Sequence, residues 1–154
     1  MFDTVVLATD GSASTERAVT LALDFADRFD AAVHALYVVD EEEIEATPGR
    51  VREDLRSALR ESGEEALAEI EDNADDVTTT IREGSPAQEI CDYAEEVNAD
   101  LVATGTRGRH GEHAFLLGSV AEAVVRRSPA PVLTARQLEP GEEPDVPIPG
   151  GAEE

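Results

Sequence analysis

Lysine and tryptophan are absent from this 154-residue chain, and cysteine occurs once. A lone cysteine, Cys91, cannot close an internal disulfide, so stability must come from an apolar core. The length is that of one domain and suffices for such a core without staples. No apolar run approaches the roughly 18 residues that a membrane span needs. Met1-Phe2-Asp3 leads straight into an apolar strand with no leader pattern, so the expectation is a cytoplasmic protein without membrane attachment. The missing lysine also removes function classes. A phosphate-binding G-x-x-x-x-G-K-S/T loop needs its lysine to neutralise the phosphates, and a phosphoacceptor receiver needs one after its fifth strand and an aspartate after its third. Arg82-Glu83-Gly84 stands at the latter place. No Ser-His-acid or paired-carboxylate arrangement marks a hydrolase.

What is present in excess is acid. Thirty-five Asp and Glu face 12 basic residues, all arginine, for a net charge of -23. Such a charge strains a compact chain by self-repulsion in dilute salt. At 1 M salt the screening length falls to about 3 Å and the strain largely disappears. The composition resembles that of proteins from salt-accumulating halophiles. It also excludes nucleic acid and anionic membrane as partners, because no basic stripe is available to meet phosphates. An anionic ligand must be held locally, against the global field.

Apolar periodicity alternates between strand and helix along the chain. Residues 4–9 (T-V-V-L-A-T) read as a first strand, almost wholly apolar and β-branched, which Asp10-Gly11-Ser12 ends. Ala18, Leu21, Ala22, Phe25 and Phe29 then mark a helix face. Residues 32–39 form a second buried strand, followed by the acidic run Asp40 to Glu45, read as a solvated face near the crevice. Thr47-Pro48 supplies an N-cap with proline at the first helical position of a long helix carrying Val51, Leu55, Leu59, Ala66, Leu67 and Ile70. A kink or break is expected near Ser62-Gly63. The third strand, residues 77–82, alternates and is read as an edge. Ser85-Pro86-Ala87-Gln88 reads as a capping box opening a helix over 87–97, on whose inner face Cys91 packs. The fourth strand, residues 100–104, is continuously apolar and therefore central. The fifth, residues 131–135, is flanked by Pro129 and Pro131 and is the other edge.

Alternating strands and helices predict an α/β fold: one doubly wound, five-stranded parallel sheet with right-handed crossovers and helices on both faces. With strands three and five at the edges the order is 3-2-1-4-5. The crossovers then reverse between strands one and four, whose carboxyl ends flank the crevice where open α/β sheets bind ligands. Asp10 and Gly105 stand at those ends.

Gly105 opens the stretch G-T-R-G-R-H-G-E-H-A-F-L-L-G-S, which ends at Gly118-Ser119 and leads into Val120, Ala121, Val124 and Val125 at helical spacing. A glycine-rich loop between a strand and a helix lets the backbone take positive φ and lets N–H groups approach a ligand closely. Ahead of a helix N-terminus such groups make an anion site, phosphate above all. Simpler readings stand beside this one. Ser119 with Glu122 is also a capping box, the three glycines 105, 108 and 111 fit a flexible surface loop, and Asp10-Gly11-Ser12 favours a turn in its own right. His110, Glu112 and His113 could hold a metal by residue type, but mobile loop residues account for them better.

Gly105-x2-Gly108-x9-Gly118-Ser119 resembles the nucleotide signature of the universal stress protein family, in its ATP-binding branch. A-T-D-G-S at 8–12, A-L-Y-V-V-D at 35–40, G-S-P-A at 84–87 and S-P-A-P-V-L at 128–133 are similar to recurring segments of that family, so the resemblance spans about residues 2–136. It implies an adenine nucleotide alpha hydrolase-like fold, related to the flavodoxin-like one, and a site in which Gly108, Gly118, Ser119 and Val120 hold phosphates. It further implies that Gly105 packs near the ribose, that Thr9 and Asp10 lie on the ribose and adenine side, and that the Val38 backbone meets adenine. On electrostatic grounds Arg107 or Arg109 reaches a phosphate, although a loop arginine in so acidic a chain is equally well solvated or paired. ATP with Mg²⁺ is the implied ligand, in a stress or signalling module with at most slow hydrolysis. The alternatives are a nucleotide-independent interaction protein of the same fold, or a binder of AMP or a cyclic nucleotide. The resemblance implies a homodimer through the edge strand 131–135, where Val132 and Leu133 form a short apolar border that proteins cover or pair. The domain is expected over residues 1–136. The tail 137–154, with four prolines, three glycines, six acids and no arginine, is predicted to be disordered.

The charge yields a direct test. Desalting to about 50 mM lengthens screening beyond 10 Å and restores repulsion among the acids. The melting temperature should therefore fall between about 3 M and 50 mM KCl, and an unchanged value in calorimetry would reject the halophilic reading.

Overall fold

The run T-V-V-L-A, with nothing polar between Val5 and Ala8, can only be satisfied by burial on both faces, and it forms the central strand β1 (Thr4–Ala8). Parallel partners take its two edges: β2 (Ala32–Asp40) on one side and β4 (Leu101–Gly105) on the other. Outside these lie β3 (Val77–Gly84) and β5 (Val132–Ala135), giving the order β3-β2-β1-β4-β5. These strands belong to a computed structural model that describes residues 1–106, 117–138 and 141–142. The order is the one expected from burial, and β3 and β5 are the edges.

Helices α1 (Glu16–Phe29), α2 (Glu41–Glu45) and α3 (Arg52–Asp72) cover one face. Their Ala22, Ala26, Ile44, Leu59, Leu67 and Ile70 pack on Val5, Leu7, Val33, Tyr37 and Ala103. Helices α4 (Pro86–Glu96) and α5 (Ser119–Arg127) cover the other. There Ala87, Ile90, Tyr93 and Val124 meet Val6, Ala8, Leu36 and Val102. Each fully buried aliphatic side chain contributes about 1.5–3 kcal/mol, so this double burial of β1, β2 and β4 is what commits the chain to two helical layers. Cys91 is buried on α4, and its burial pushes the thiol above its usual pKa, away from the reactive thiolate. At the lower end of the sheet, the Asp100 carboxylate accepts the N–H groups of Asp3 and Thr4 at 2.8 and 3.0 Å, pinning the start of β1 to β4.

Several local expectations fail for identifiable reasons. The acidic run is a solvated face, with Glu41, Glu42 and Glu45 exposed, but it is helical: Asp40 accepts the Glu42 N–H as an N-cap, acids fill the first turn where the helix dipole favours them, and Ile44 buries one side of α2. Thr47 does not cap the long helix. Its hydroxyl donates back to the Glu43 carbonyl, and Pro48 instead precedes a 3₁₀ turn over Gly49–Val51, so α3 starts at Arg52. Ser85 sits at the N-cap of α4 with Pro86 in the first turn, but its side chain makes no capping hydrogen bond.

The expected break at Ser62-Gly63 is absent, since α3 runs unbroken from Arg52 to Asp72. Gly63 has a packing role instead. A Cβ there would stand 2.6 Å from the Tyr37 ring, which is fully buried beneath the helix.

Past β5 the chain stays attached to α1. Gln137 Oε1 accepts the Arg17 N–H at 2.9 Å, and Arg17 Nη1 donates to the Arg136 carbonyl. Arg136 in turn makes a two-pronged ion pair with Glu142 at 2.9 and 3.0 Å. The remainder of the predicted disordered tail, residues 139–140 and 143–154, lies outside the described residues.

Gly63→Ala gains up to about 1 kcal/mol of helix propensity but overpacks the Tyr37 ring at a cost of about 1–3 kcal/mol. A net loss is expected in urea unfolding in molar KCl. Adding Tyr37→Leu should remove most of the penalty specific to the alanine, and a Gly63→Ala protein more stable than the wild type would show that the contact does not constrain α3.

Candidate functional site

β1 stops at Ala8, while β2 continues to Asp40 beside it. The last contact between them is the Thr9 N–H donating to the Leu36 carbonyl at 3.0 Å. Backbone groups alternate sides along a strand, so those of Val38 point the same way as those of Leu36, into the space past the end of β1. On the opposite side β4 ends at Gly105. The reversal of crossover direction leaves no helix over this gap, and a crevice of about 280 Å³ opens there.

Its walls come from several segments of the chain. Ala8, Thr9 and Asp10 form the floor at β1, Leu36, Tyr37 and Val38 the wall at β2, and Thr104 and Gly105 the wall at β4. Pro86 and Ile90 of α4 supply an apolar side, and Gly118, Ser119, Val120 and Ala121 bring in the start of α5. Asp40 at the end of β2, Glu43 of α2, Leu59 of α3 and Thr15 complete the lining. Of the sequence-predicted site residues, Thr9, Asp10, Val38, Gly105, Gly118, Ser119 and Val120 are therefore brought together. Arg107, Gly108 and Arg109, like His110, Glu112 and His113, lie outside the described residues.

The turn after β1 is built locally. Asp10 Oδ1 accepts both the backbone N–H and the hydroxyl of Ser12, at 2.9 and 2.6 Å, an arrangement that Asp favours in tight turns. Gly11 takes φ 77°, open to glycine at no steric cost. Behind it the Thr9 hydroxyl accepts the Gly11 N–H at 3.1 Å and lies 3.3 Å from the Thr15 hydroxyl. Thr15 donates to the Ser12 carbonyl, which leaves Thr9 as donor in the pair. The turn reading of Asp10 thus holds, and Asp10 lines the crevice as well.

At α5 the capping expectation is corrected. Gly118, not Ser119, occupies the N-cap, and no side chain caps the helix. Ser119 is the first helical residue and its side chain is exposed. Gly118 has φ -64° and ψ 159°, an extended conformation open to any residue, so positive φ is not the reason for glycine there. What distinguishes it is its place on the crevice wall. The Gly118 N–H donates to the Thr106 carbonyl at 2.6 Å, which closes the base of the segment between β4 and α5. The first N–H groups of α5 have no partner inside the helix, and the dipole makes this end attractive to an anion.

Two signals escaped the sequence reading. Thr104, Pro86 and Ile90 join the crevice although they were assigned only to a strand and a helix, because whether a side chain faces a ligand gap depends on strand lengths that periodicity does not give. Tyr37 was likewise hidden inside an apolar run.

A doubly wound α/β domain with an open crevice at its switch point, bounded by a helix N-terminus, has the architecture in which open α/β sheets hold small ligands. The profile of the universal stress protein family matches residues 1–136, and the chain belongs to that family. It is 38% identical over 142 residues to universal stress protein MJ0531 of Methanocaldococcus jannaschii, covering 89% of this chain and 84% of that one. It is 33% identical over 144 residues to a putative universal stress protein of Staphylococcus aureus, covering 90% and 86%. Among solved structures, hypothetical protein MJ0577 superposes with a TM-score of 0.79 at 29% identity, over 90% of this chain and 99% of that one. A universal stress protein in complex with cAMP superposes with a TM-score of 0.66 at 28% identity, over 89% and 98%. No described helix is long and apolar enough to cross a membrane.

Proposed function

We propose that this universal stress protein binds ATP in the crevice between β1 and β4 and acts as a stress-response or signalling module with at most slow hydrolysis. The observation that carries this reading is the meeting of three features at one gap: the apolar slot of Val38, Pro86 and Ile90, the turn at Asp10, and the N-terminus of α5. A flat base suits the slot. The Val38 N–H and carbonyl, facing the gap past β1, offer one donor and one acceptor, which complements the Watson–Crick edge of adenine. Phosphates suit the N–H groups of Ser119 and Val120 together with the exposed Ser119 hydroxyl, which is not consumed by capping.

Asp10, Asp40 and Glu43 also border the crevice, so triphosphate binding works against local negative charge as well as the global -23. Mg²⁺ bound with the nucleotide would supply the offsetting charge, alongside Arg107 or Arg109 of the intervening segment. The solved cAMP complex of a similar universal stress protein favours a cyclic nucleotide as the second reading.

Isothermal titration in molar KCl, after removal of any co-purified ligand, separates these. Wild-type protein should bind ATP, more tightly with Mg²⁺ than without. Gly118→Val, sterically permitted by its backbone angles, should abolish binding with its circular dichroism intact. Ser119→Ala should weaken binding while changing stability by less than about 0.5 kcal/mol, because no cap is lost. Preference for cAMP would move the assignment to the second reading, and binding of neither would leave a nucleotide-independent interaction module.

The same reading includes a homodimer through β5, whose Val132 and Leu133 are only partly buried at the sheet edge. Light scattering at tens of micromolar protein in molar salt should give twice the chain mass. A monomer there, together with an unchanged mass for Val132→Arg, would remove the edge-pairing proposal.

A further inference from the structure

Three threonines are buried among the described residues, Thr9, Thr15 and Thr104, and all three line the crevice. Thr9 and Thr15 satisfy each other, as described above. Thr104 differs. It is 7% exposed, and its hydroxyl makes no hydrogen bond with any described residue. Arg17 Nε is the one fully occluded side-chain polar atom without a partner among the described residues, so the Thr104 hydroxyl keeps access to open space, and the space beside it is the crevice. Its surroundings are otherwise apolar: two residues on from Val102, it lies on the same face of β4, where Val102 packs with Ala8 and Val124, and Ile90 and Pro86 line the same cavity.

A hydroxyl that opens onto the crevice is hydrated there in the ligand-free protein and adds no internal hydrogen bond to the fold. Valine would fill the same volume and would suit a β-strand at least as well, so folding alone does not call for the hydroxyl. We propose that Thr104 is a specificity-determining residue of the crevice, its hydroxyl hydrogen-bonding a polar atom on the heterocyclic end of the bound nucleotide. The inference rests on the nucleotide reading above and adds to it a directional contact inside the apolar slot. A hydroxyl both donates and accepts, so it can meet a ring nitrogen or an exocyclic amine, whereas a ligand lacking polar atoms at that place would leave it unsatisfied.

The test compares Thr104→Val, Thr104→Ser and Thr104→Ala by titration with ATP, AMP and cAMP, beside thermal melts of the ligand-free proteins in molar KCl. Thr104→Val should bind the preferred nucleotide about five- to tenfold more weakly while its ligand-free melting temperature is unchanged or raised. Thr104→Ser should stay within about twofold of the wild type, and Thr104→Ala should weaken binding as the valine does if Thr104→Val fails to fold. Wild-type affinity in both Thr104→Val and Thr104→Ala would overturn this proposal and leave the nucleotide reading standing. A lower melting temperature in Thr104→Val with affinity intact would likewise assign the hydroxyl a purely structural role. Wild-type protein that binds none of the three nucleotides would overturn both readings at once, so the two failures are distinguishable.

Discussion

Reversal of the crossover direction between β1 and β4 is the constraint from which the rest of this structure follows. Right-handed connections carry the chain from β1 outward through β2 to β3 on one side, and from β4 to β5 on the other. The helices leaving β1 and β4 therefore pack on opposite faces, α1 with α3 and α5 with α4. Nothing can then cover the strand ends between them. The crevice is a consequence of this winding, and the side chains that border it are those at which β1 and β4 happen to stop. Tyr37 and Gly63 set how closely α3 approaches, and Gly11 meets the same helix, its hypothetical Cβ 3.4 Å from that of Ala66.

The electrostatics of the chain and of the crevice pull in different directions. A surface carrying 35 acids repels anions at long range, while the N-terminus of α5 attracts them at short range through oriented N–H groups. Screening separates the two scales, because salt suppresses the field of the distant carboxylates but acts weakly on contacts of about 3 Å. The arginines are used economically within this field. Arg56 bridges Glu53 on its own helix and Glu83 on β3, Arg82 pairs with Glu96 while lying 4.9 Å above the Tyr93 ring, and Arg136 grips Glu142 with two nitrogens. The planar guanidinium suits such shared contacts better than an ammonium would. Each exposed pair contributes little by itself, about 0.2–1 kcal/mol.

A polar seam on the α4 side runs from His34 through the Tyr93 hydroxyl to Thr80, at 2.9 and 3.2 Å. Burial holds His34 below the usual imidazole range, so its neutral form is the one the fold accommodates. Its contribution to stability is therefore present above the unfolded pKa and is lost as pH falls through that value toward the lower folded one.

The chain by itself determined its layers and their order. Apolar strands that alternate with amphipathic helices can bury both faces only as a doubly wound sheet, and the one-sided pattern of residues 77–82 and the prolines around 129–131 sufficed to put those strands at the edges. The glycine motif and the turn at Asp10 were legible for the same reason, since backbone requirements leave a mark on residue type. Tertiary structure alone decided what the small residues are for. Gly63 reads as a helix breaker until the Tyr37 ring lies against it, and Ser119 reads as a cap until Gly118 takes that place. Thr104 reads as one more strand residue until the crevice opens beside it at the end of β1. Periodicity records which face a residue lies on, but the length at which a neighbouring strand stops is set by packing between distant segments, and no local pattern carries that information.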